Sequence, residues 1–290
     1  FGKDIPDERT GEALEMSVIP GLESTDDDGV TLTALIERYG SRLTGLPEGT
    51  EFPLLLKLLA AKGTLSVQVH PDDEYAKAHE NKLGKTEAWV ILHAEEGASL
   101  LYGIREGVTI DDLRRALTGG EDVEPLIQRI PVKAGDVFYM PAGMVHAIGG
   151  GILLYEIQQS SDVTYRLWDF NRVNAKGEKR PLHIQQSLDV IRPELKGLRA
   201  HMPEHPAQEI TRLLDVPAFT LDCVAADGAC ILPAAETFRV LTALEPLTLR
   251  WLEGEMELKA GDTVLLPAAC PEVGLEGHGR ALVSGVGRNA

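Results

Sequence analysis

Apolar and polar positions alternate over short stretches through most of the chain. TLSVQVH (64–70), EAWVILHA (87–94), DVFYMP (136–141), ILLYEIQQ (152–159) and VTYRLW (163–168) are each bounded by Gly, Pro or Asp, which predicts strands. The same texture returns after about residue 206 in AFTLDCVA, FRVLTAL, LTLRWL, DTVLLPA and RALVSGV. Helical spacing is confined to a few stretches. Residues 31–44 carry Leu32, Leu35, Ile36 and Leu43 behind Thr31 as N-cap, and 110–117 and 181–192 predict two more helices, the last with Pro181 near its first turn. Asp72 and Asp73 cap a helix beginning near Glu74, while His79 falls in a polar segment expected as solvent-facing loop. Short strands in both halves favour sandwiches or barrels over a parallel doubly wound sheet. No Gly-rich phosphate loop of the GxGxxG or P-loop kind is present, so nothing supports nucleotide binding.

One stretch is echoed. Lys133–Ala142 reads KAGDVFYMPA and Lys259–Ala268 reads KAGDTVLLPA, with six of ten positions identical at an offset of 126 residues. Such an echo predicts two related β-barrel domains, 1–205 and 206–290. The length of 290 residues accommodates both, and 43% hydrophobic with 25% charged residues is ordinary for a globular chain. Charge narrows the partners: 28 Lys+Arg against 45 Asp+Glu leave −17, which argues against nonspecific binding to nucleic acid or an anionic membrane. A small anionic substrate remains compatible, since a pocket needs only two or three local cations. No window reaches the roughly 20 apolar residues of a membrane span, and Lys57 interrupts the best run, Phe52–Ala61. The polar start FGKDIPDERTGE is unlike a secretory signal, and Cys223, Cys230 and Cys270 form no CxxC pair. Both features lead to the expectation of a cytoplasmic protein.

The first copy of the echo continues as Gly135, five residues, Pro141, Gly143 and then His146. Gly135 and Asp136 turn into a strand, Pro141 and Gly143 end it, and His146 opens the return strand. This hairpin resembles the second motif of the cupin superfamily, in which the His is a metal ligand. Other donors are in reach. Alternation along 64–70 puts Ser66, Gln68 and His70 on one face, and the start of the next strand, GKTEAW, puts Lys85 and Glu87 on one face. Gln68, His70, Glu87 and His146 would supply two oxygen and two nitrogen donors, a set that suits a borderline ion such as Zn²⁺ with a position open for water or substrate. In the second copy Glu272 stands in the place of His146 and Ala269 in that of Gly143, so the second domain is expected to hold no metal.

QVHPDD (68–73), GKTEAW (84–89), PAGMVHAIG (141–149), EIQQSSDVTYRLWDFNR (156–172) and LHIQQSLDVI (182–191), with Arg180 just before it, together resemble the type I mannose-6-phosphate isomerases in their short bacterial form. GEALEMS (11–17) is similar to a family segment that usually carries Trp where Leu14 stands. The resemblance implies an all-β-dominated fold: a cupin (jelly-roll) β-barrel with a few helices, plus a second, smaller, degenerate cupin-like β-domain. It implies one zinc ion per chain on Gln68, His70, Glu87 and His146, a catalytic Arg at Arg166 and the family's motif Lys at Lys85. The implied reaction interconverts mannose 6-phosphate and fructose 6-phosphate through a cis-enediol, in a monomer or homodimer acting on a phosphosugar. The residues suit such chemistry: a divalent ion stabilises enediolate charge as a Lewis acid, and the Arg166 guanidinium can hold an oxyanion or phosphate through a forked hydrogen bond. Glu156 is a further acid–base or substrate-binding candidate and Ser66 a substrate contact. A non-enzymatic sugar- or metal-binding cupin is the alternative. An iron dioxygenase is a third reading, against which Gln68 counts.

Overall fold

The computed structural model describes Lys3, residues 10–204 and residues 209–288. The chain divides into two compact units, one of Leu58–Ala200 and one combining the described parts of Phe1–Lys57 and His201–Ala290. The boundary expected between residues 205 and 206 lies outside the described residues. No helix among those described is long and apolar enough to cross a membrane.

The unit combining the two ends of the chain begins with β1 (Glu12–Met16), α1 (Leu32–Tyr39) and α2 (Ser41–Thr44). Thr31 caps α1 through its side chain, which accepts from the Ala34 amide. The helix expected over 31–44 is split at Gly40, whose φ of 52° ends α1 while its amide still bonds the Ile36 carbonyl. Three backbone bonds explain why these residues group with the C-terminal part of the chain. The amides of Phe238, Ala268 and Ala269 donate to the carbonyls of Thr44, Leu43 and Arg42 at 3.0, 2.8 and 2.9 Å. Phe52 also stacks on Phe238 with ring centroids 4.6 Å apart. These are main-chain and single-ring contacts that hydrophobic periodicity does not encode.

The other unit carries the predicted barrel. β2 (Leu54–Ala61) leads into it, followed by β3 (Val67–Val69), α3 (Asp73–Glu80), β4 (Glu87–Ala94), β5 (Ser99–Ile104) and α4 (Ile110–Gly119). Then come β6 (Ile127–Pro131), β7 (Asp136–Met140), β8 (His146–Ile148), β9 (Ile152–Gln159), β10 (Tyr165–Trp168), α5 (Ile184–Val190) and β11 (Leu198–His201). One sheet runs β2-β9-β4-β7-β11 and the other β10-β3-β8-β5-β6, antiparallel in every pairing recorded among them. Asp72 caps α3 by accepting from the Tyr75 amide, and His79 lies in the last turn of that helix rather than in a loop, its ring stacked on Tyr75 at 3.9 Å.

Period-two alternation sorts the side chains. Val67, Val69, Leu101, Ala147, Tyr165 and Leu167 point out of the second sheet into a core closed by Leu113 and Leu117 of α4 and Leu188 of α5. Trp89, Ile91, Leu100, Phe138, Met140, Ile148 and Leu154 fill the space between the sheets. The remaining positions of that inner face, Gln68, Glu87, His146, Glu156 and Arg166, are therefore turned into one end of the barrel.

The C-terminal part contains β12 (Ile210–Asp215), β13 (Phe219–Leu232), β14 (Arg239–Ala243), β15 (Leu247–Trp251), β16 (Gly254–Leu258), β17 (Thr263–Leu266) and β18 (Val273–Val286), with β12-β13-β18-β14-β17 forming a sheet. The sequence echo is a repeat of conformation. Gly135 and Gly261 share φ 90°. The Lys133 and Lys259 amides donate to the carboxylates of Asp136 and Asp262 at 2.9 and 2.8 Å. Met144 and Cys270 each donate to the carbonyl of the Pro three residues back.

Gly45 tests the packing of α2. Its φ is 70°, and a Cβ there would lie 2.0 Å from the Glu236 carbonyl oxygen; Gly49, at φ 80°, faces nothing within 4 Å. Gly49→Ala is expected to cost about 1 kcal/mol from backbone strain alone, and Gly45→Ala clearly more. Thermal unfolding of both variants checks this, and equal losses would contradict the α2 contact.

Candidate metal centre

The site is built around a carboxylate. Glu87 opens β4 and is fully buried. Its Oε1 lies 3.0 Å from His146 Nε2, and its Oε2 lies 3.5 Å from His70 Nε2 and 2.7 Å from Lys85 Nζ. The ligand atoms of His70, Glu87 and His146 all fall within 4.8 Å of one another, the one such group of three or more among the described residues.

The local backbone aims each histidine. β3 ends at Val69, sooner than the expected 64–70, because Pro71 follows and the His70 carbonyl turns to accept from the Gly143 amide at 2.8 Å. His70 Nδ1 bonds the Val163 carbonyl at 2.8 Å and His146 Nδ1 the Met144 carbonyl at 2.9 Å. A carbonyl only accepts, so each Nδ1 carries a proton and each Nε2 is the ring nitrogen turned to the centre. His70 Nε2 has no hydrogen-bond partner. Gln68, paired with His146 across β3 and β8, brings its amide nitrogen to 3.3 Å from His146 Nε2. Nitrogen and oxygen of an amide exchange places on a half-turn, which would aim Oε1 at the same point.

Two imidazole nitrogens, an amide and a carboxylate converge on one point, and two imidazoles, a carboxylate and an amide oxygen are donors that divalent ions of the zinc class accept. The residues present therefore fit a metal. Burial would raise the Glu87 pKa, but Lys85, His70 and His146 outweigh it and hold the carboxyl well below its usual range. Burial and Lys85 push the His70 pKa well below its ordinary value, against Glu87, which raises it. Both groups are thus in the charge states that bind metal.

The other expected residues lie near this group. Lys85 is buried, with Nζ also 4.0 Å from Glu156 Oε1. Glu156 lies opposite Trp89 in the β4–β9 pairing, and the Trp89 indole donates to its Oε2 at 2.8 Å. Arg166 lies opposite Gln68 in the β3–β10 pairing, and its Nε donates to Ser66 Oγ at 3.3 Å. Burial, Arg180 and Arg172 lower its pKa, with Asp169 opposing. α5 starts at Ile184, later than the expected 181, because the preceding residues clamp Arg166. Its Nη1 donates to the Pro181 carbonyl at 3.0 Å, and its backbone amide and carbonyl bond His183 Nδ1 and the His183 amide at 3.1 and 2.8 Å. Sequence reasoning passed over Trp89, although its place two residues after Glu87 put it on the same face. It also passed over Asp169, whose partners come from later in the chain.

Comparison with known proteins agrees with this geometry. The family description "Phosphomannose isomerase type I, catalytic domain" matches residues 4–96. The mannose-6-phosphate isomerase ManA of Bacillus subtilis is 40% identical over 98% of this chain and 92% of its own length. This chain belongs to the type I phosphomannose isomerase family. A mannose-6-phosphate isomerase of Streptococcus mutans is 49% identical over 66% of this chain and 61% of its own. A crystal structure of the mannose 6-phosphate isomerase from Bacillus subtilis superposes with a TM-score of 0.88 at 33% identity, covering 99% of this chain and 93% of that one. The β-dominated architecture is accordingly the cupin fold of the phosphomannose isomerases.

The donor set makes a direct prediction. Purified protein should carry about one divalent ion per chain, and His70→Ala or His146→Ala should lose it with the fold retained. Elemental analysis beside circular dichroism checks this; full occupancy in both variants would contradict the centre.

Proposed function

We propose that this chain is a zinc-dependent aldose–ketose isomerase that interconverts mannose 6-phosphate and fructose 6-phosphate through a cis-enediol. Two relatives covering the chain's catalytic part bear the name mannose-6-phosphate isomerase. The observation that carries the reading is the buried Glu87 carboxylate set between the Nε2 atoms of two histidines, with Lys85 on the oxygen that faces His70 and Glu156 beyond it. We assign Gln68, His70, Glu87 and His146 as the residues that hold the ion. A divalent ion there supplies a Lewis acid for the negative charge that develops on the sugar's C1 and C2 oxygens.

The chain's own residues perform the proton transfer. Isomerisation takes a proton from one of two neighbouring carbons and returns it to the other. Lys85 exchanges that proton at Nζ, with Glu87 Oε2 as its acceptor at 2.7 Å and the Glu156 carboxylate as a second counter-charge at 4.0 Å. Trp89 holds Glu156 at its other oxygen, so Glu156 meets a substrate hydroxyl from a fixed position. Arg166, held by Ser66 and Pro181, sets a guanidinium that stays charged beside the developing oxyanion. Ser66 offers its hydroxyl to the substrate from the same strand face. Burial of Lys85, Glu87, His146 and Glu156 keeps water from the reacting carbons and strengthens each of these interactions. The domain roles follow: the barrel that holds the four ligands is catalytic, and the C-terminal β-domain, with Glu272 in the place of His146, serves packing or assembly.

Arg166→Ala should retain the ion and lose roughly 10²-fold or more in kcat, the scale for one preorganised electrostatic donor. Arg166→Lys should recover only part, because an ammonium lacks the forked geometry. Steady-state kinetics on mannose 6-phosphate, with and without chelator, tests the whole reading. No turnover by the zinc-loaded protein would refute the activity, turnover resistant to chelation would refute the metal, and unchanged kinetics in Arg166→Ala would refute that residue's role.

A further inference from the structure

The two histidines of the proposed centre are aimed by carbonyls of different origin. His146 Nδ1 bonds the carbonyl of Met144, two residues back in its own hairpin. His70 Nδ1 bonds the carbonyl of Val163, 93 residues further along the chain, at 2.8 Å. The direction of the His70 ring therefore depends on how the turn between β9 and β10 is held. That turn is held from inside. Ser161 is about 3% exposed, and Gln158 is fully buried. Ser161 Oγ donates to the Leu83 carbonyl at 2.7 Å and accepts from the Val163 amide at 3.4 Å, so the hydroxyl is used once in each sense. The Gln158 side-chain nitrogen donates to the carbonyls of Gln159 and Ser161 at 2.9 and 2.6 Å. Both partners only accept, which fixes that end of the amide as the nitrogen. Polar side chains are unfavourable in a protein interior unless they are bonded. A link that had only to lead from one strand to the next could use exposed turn residues instead.

We propose that Ser161, braced by Gln158, is a positioning residue of the metal centre: it fixes the Val163 carbonyl that orients the His70 ring. This rests on the metal-dependent reading above and adds residues that touch neither the ion nor the substrate. The reach of Ser161 supports it. Through Leu83 the same hydroxyl is tied to the segment that leads into Lys85 and Glu87, so one side chain links the two parts of the chain whose His70 Nε2 and Glu87 Oε2 stand 3.5 Å apart. Register supports it too. Gln158 is paired with Glu87 across β9 and β4, which sets the base of the turn beside the ligand-bearing strand. The imidazole itself completes the lever. It is a rigid plate whose Nε2 has no hydrogen-bond partner, so the bond at Nδ1 sets where Nε2 points. Removing the Ser161 hydroxyl leaves the Val163 amide and the Leu83 carbonyl without that partner and loosens the carbonyl behind His70. His146 takes its orienting carbonyl from its own hairpin and is not affected. Partners behind a metal ligand fix its ring and raise affinity for the ion; here only one of the two histidines depends on Ser161, and that asymmetry is the signature of the role.

Cobalt(II) is the probe. A ring N–H of a histidine bound to this paramagnetic ion gives a strongly shifted proton resonance whose exchange with water can be followed. The cobalt-loaded wild type should show one such signal from each Nδ1, that of His70 being assigned by its Overhauser contact with Val163. In Ser161→Ala the His70 proton should exchange faster while the His146 proton keeps its rate. Cobalt affinity, measured by competition with a chelator, should fall about tenfold or more, the scale for a partner behind a metal ligand. Gln158→Met keeps the length of the side chain and removes its donor; it should move the same signal in the same direction, and it carries the test if Ser161→Ala does not fold. Thermal unfolding of the metal-free proteins reports stability separately. Wild-type affinity and wild-type exchange at both rings in the two variants would overturn the proposal, whatever the change in stability. Equal acceleration at both rings would overturn it as well, because it marks a general loosening of the fold. A wild type that takes up no cobalt at these histidines would refute the metal centre and the proposal with it, whereas a wild type that binds cobalt there beside unaltered variants refutes the proposal alone.

Discussion

The buried charge of Glu87 is the constraint on which the rest of the site depends. A carboxylate removed from water is costly unless paired, and here its neighbours are Lys85 and two histidines whose Nδ1 protons are committed to the Val163 and Met144 carbonyls. Lys85 compensates one oxygen. The other lies 3.0 Å from His146 Nε2, and the ligand atoms of both histidines fall within reach of one divalent ion. The backbone carbonyls therefore decide the chemistry of the centre, since each fixes which ring nitrogen is left to bind a metal.

The barrel meets this constraint by alternation. Each strand contributes one polar residue to the inner face at one end, Gln68, Glu87, His146, Glu156 or Arg166, while its neighbours two residues along are Trp89, Ile148 and Leu154 of the inter-sheet core. Polar and apolar halves of one face are thereby stacked along the barrel. The C-terminal β-domain shows the same turn chemistry without the ligands. Asp262 and Gly261 reproduce the turn of Asp136 and Gly135, so the hairpin itself is a folding unit that does not require a metal.

Much of this was legible in the chain. Strands 87–94 and 152–159 match to the residue, because both are bounded by polar turns and buried by a regular period. The grouping of His70, Glu87 and His146 was legible because these residues, with Gln68, interrupt apolar alternation. What eluded the sequence depends on partners distant in the chain. α5 begins late because Pro181 and His183 are engaged by Arg166. The Trp89–Glu156 bond joins strands whose register no local pattern specifies. Asp169 gains its meaning from Arg180, eleven residues on across a turn, and the described residues before Leu58 group with the C-terminal part through main-chain bonds and one ring contact that periodicity does not encode.

The proposed zinc-class ion would sit among His70, Glu87 and His146. Anomalous diffraction from crystals of the purified protein, recorded on both sides of the zinc absorption edge, tests it most directly. The account predicts a single strong peak about 2.0–2.2 Å from the Nε2 atoms of His70 and His146 and from a Glu87 oxygen, with the Gln68 amide oxygen turned toward it. A metal-replete crystal with no peak there, or with its peak on other residues, would contradict the account.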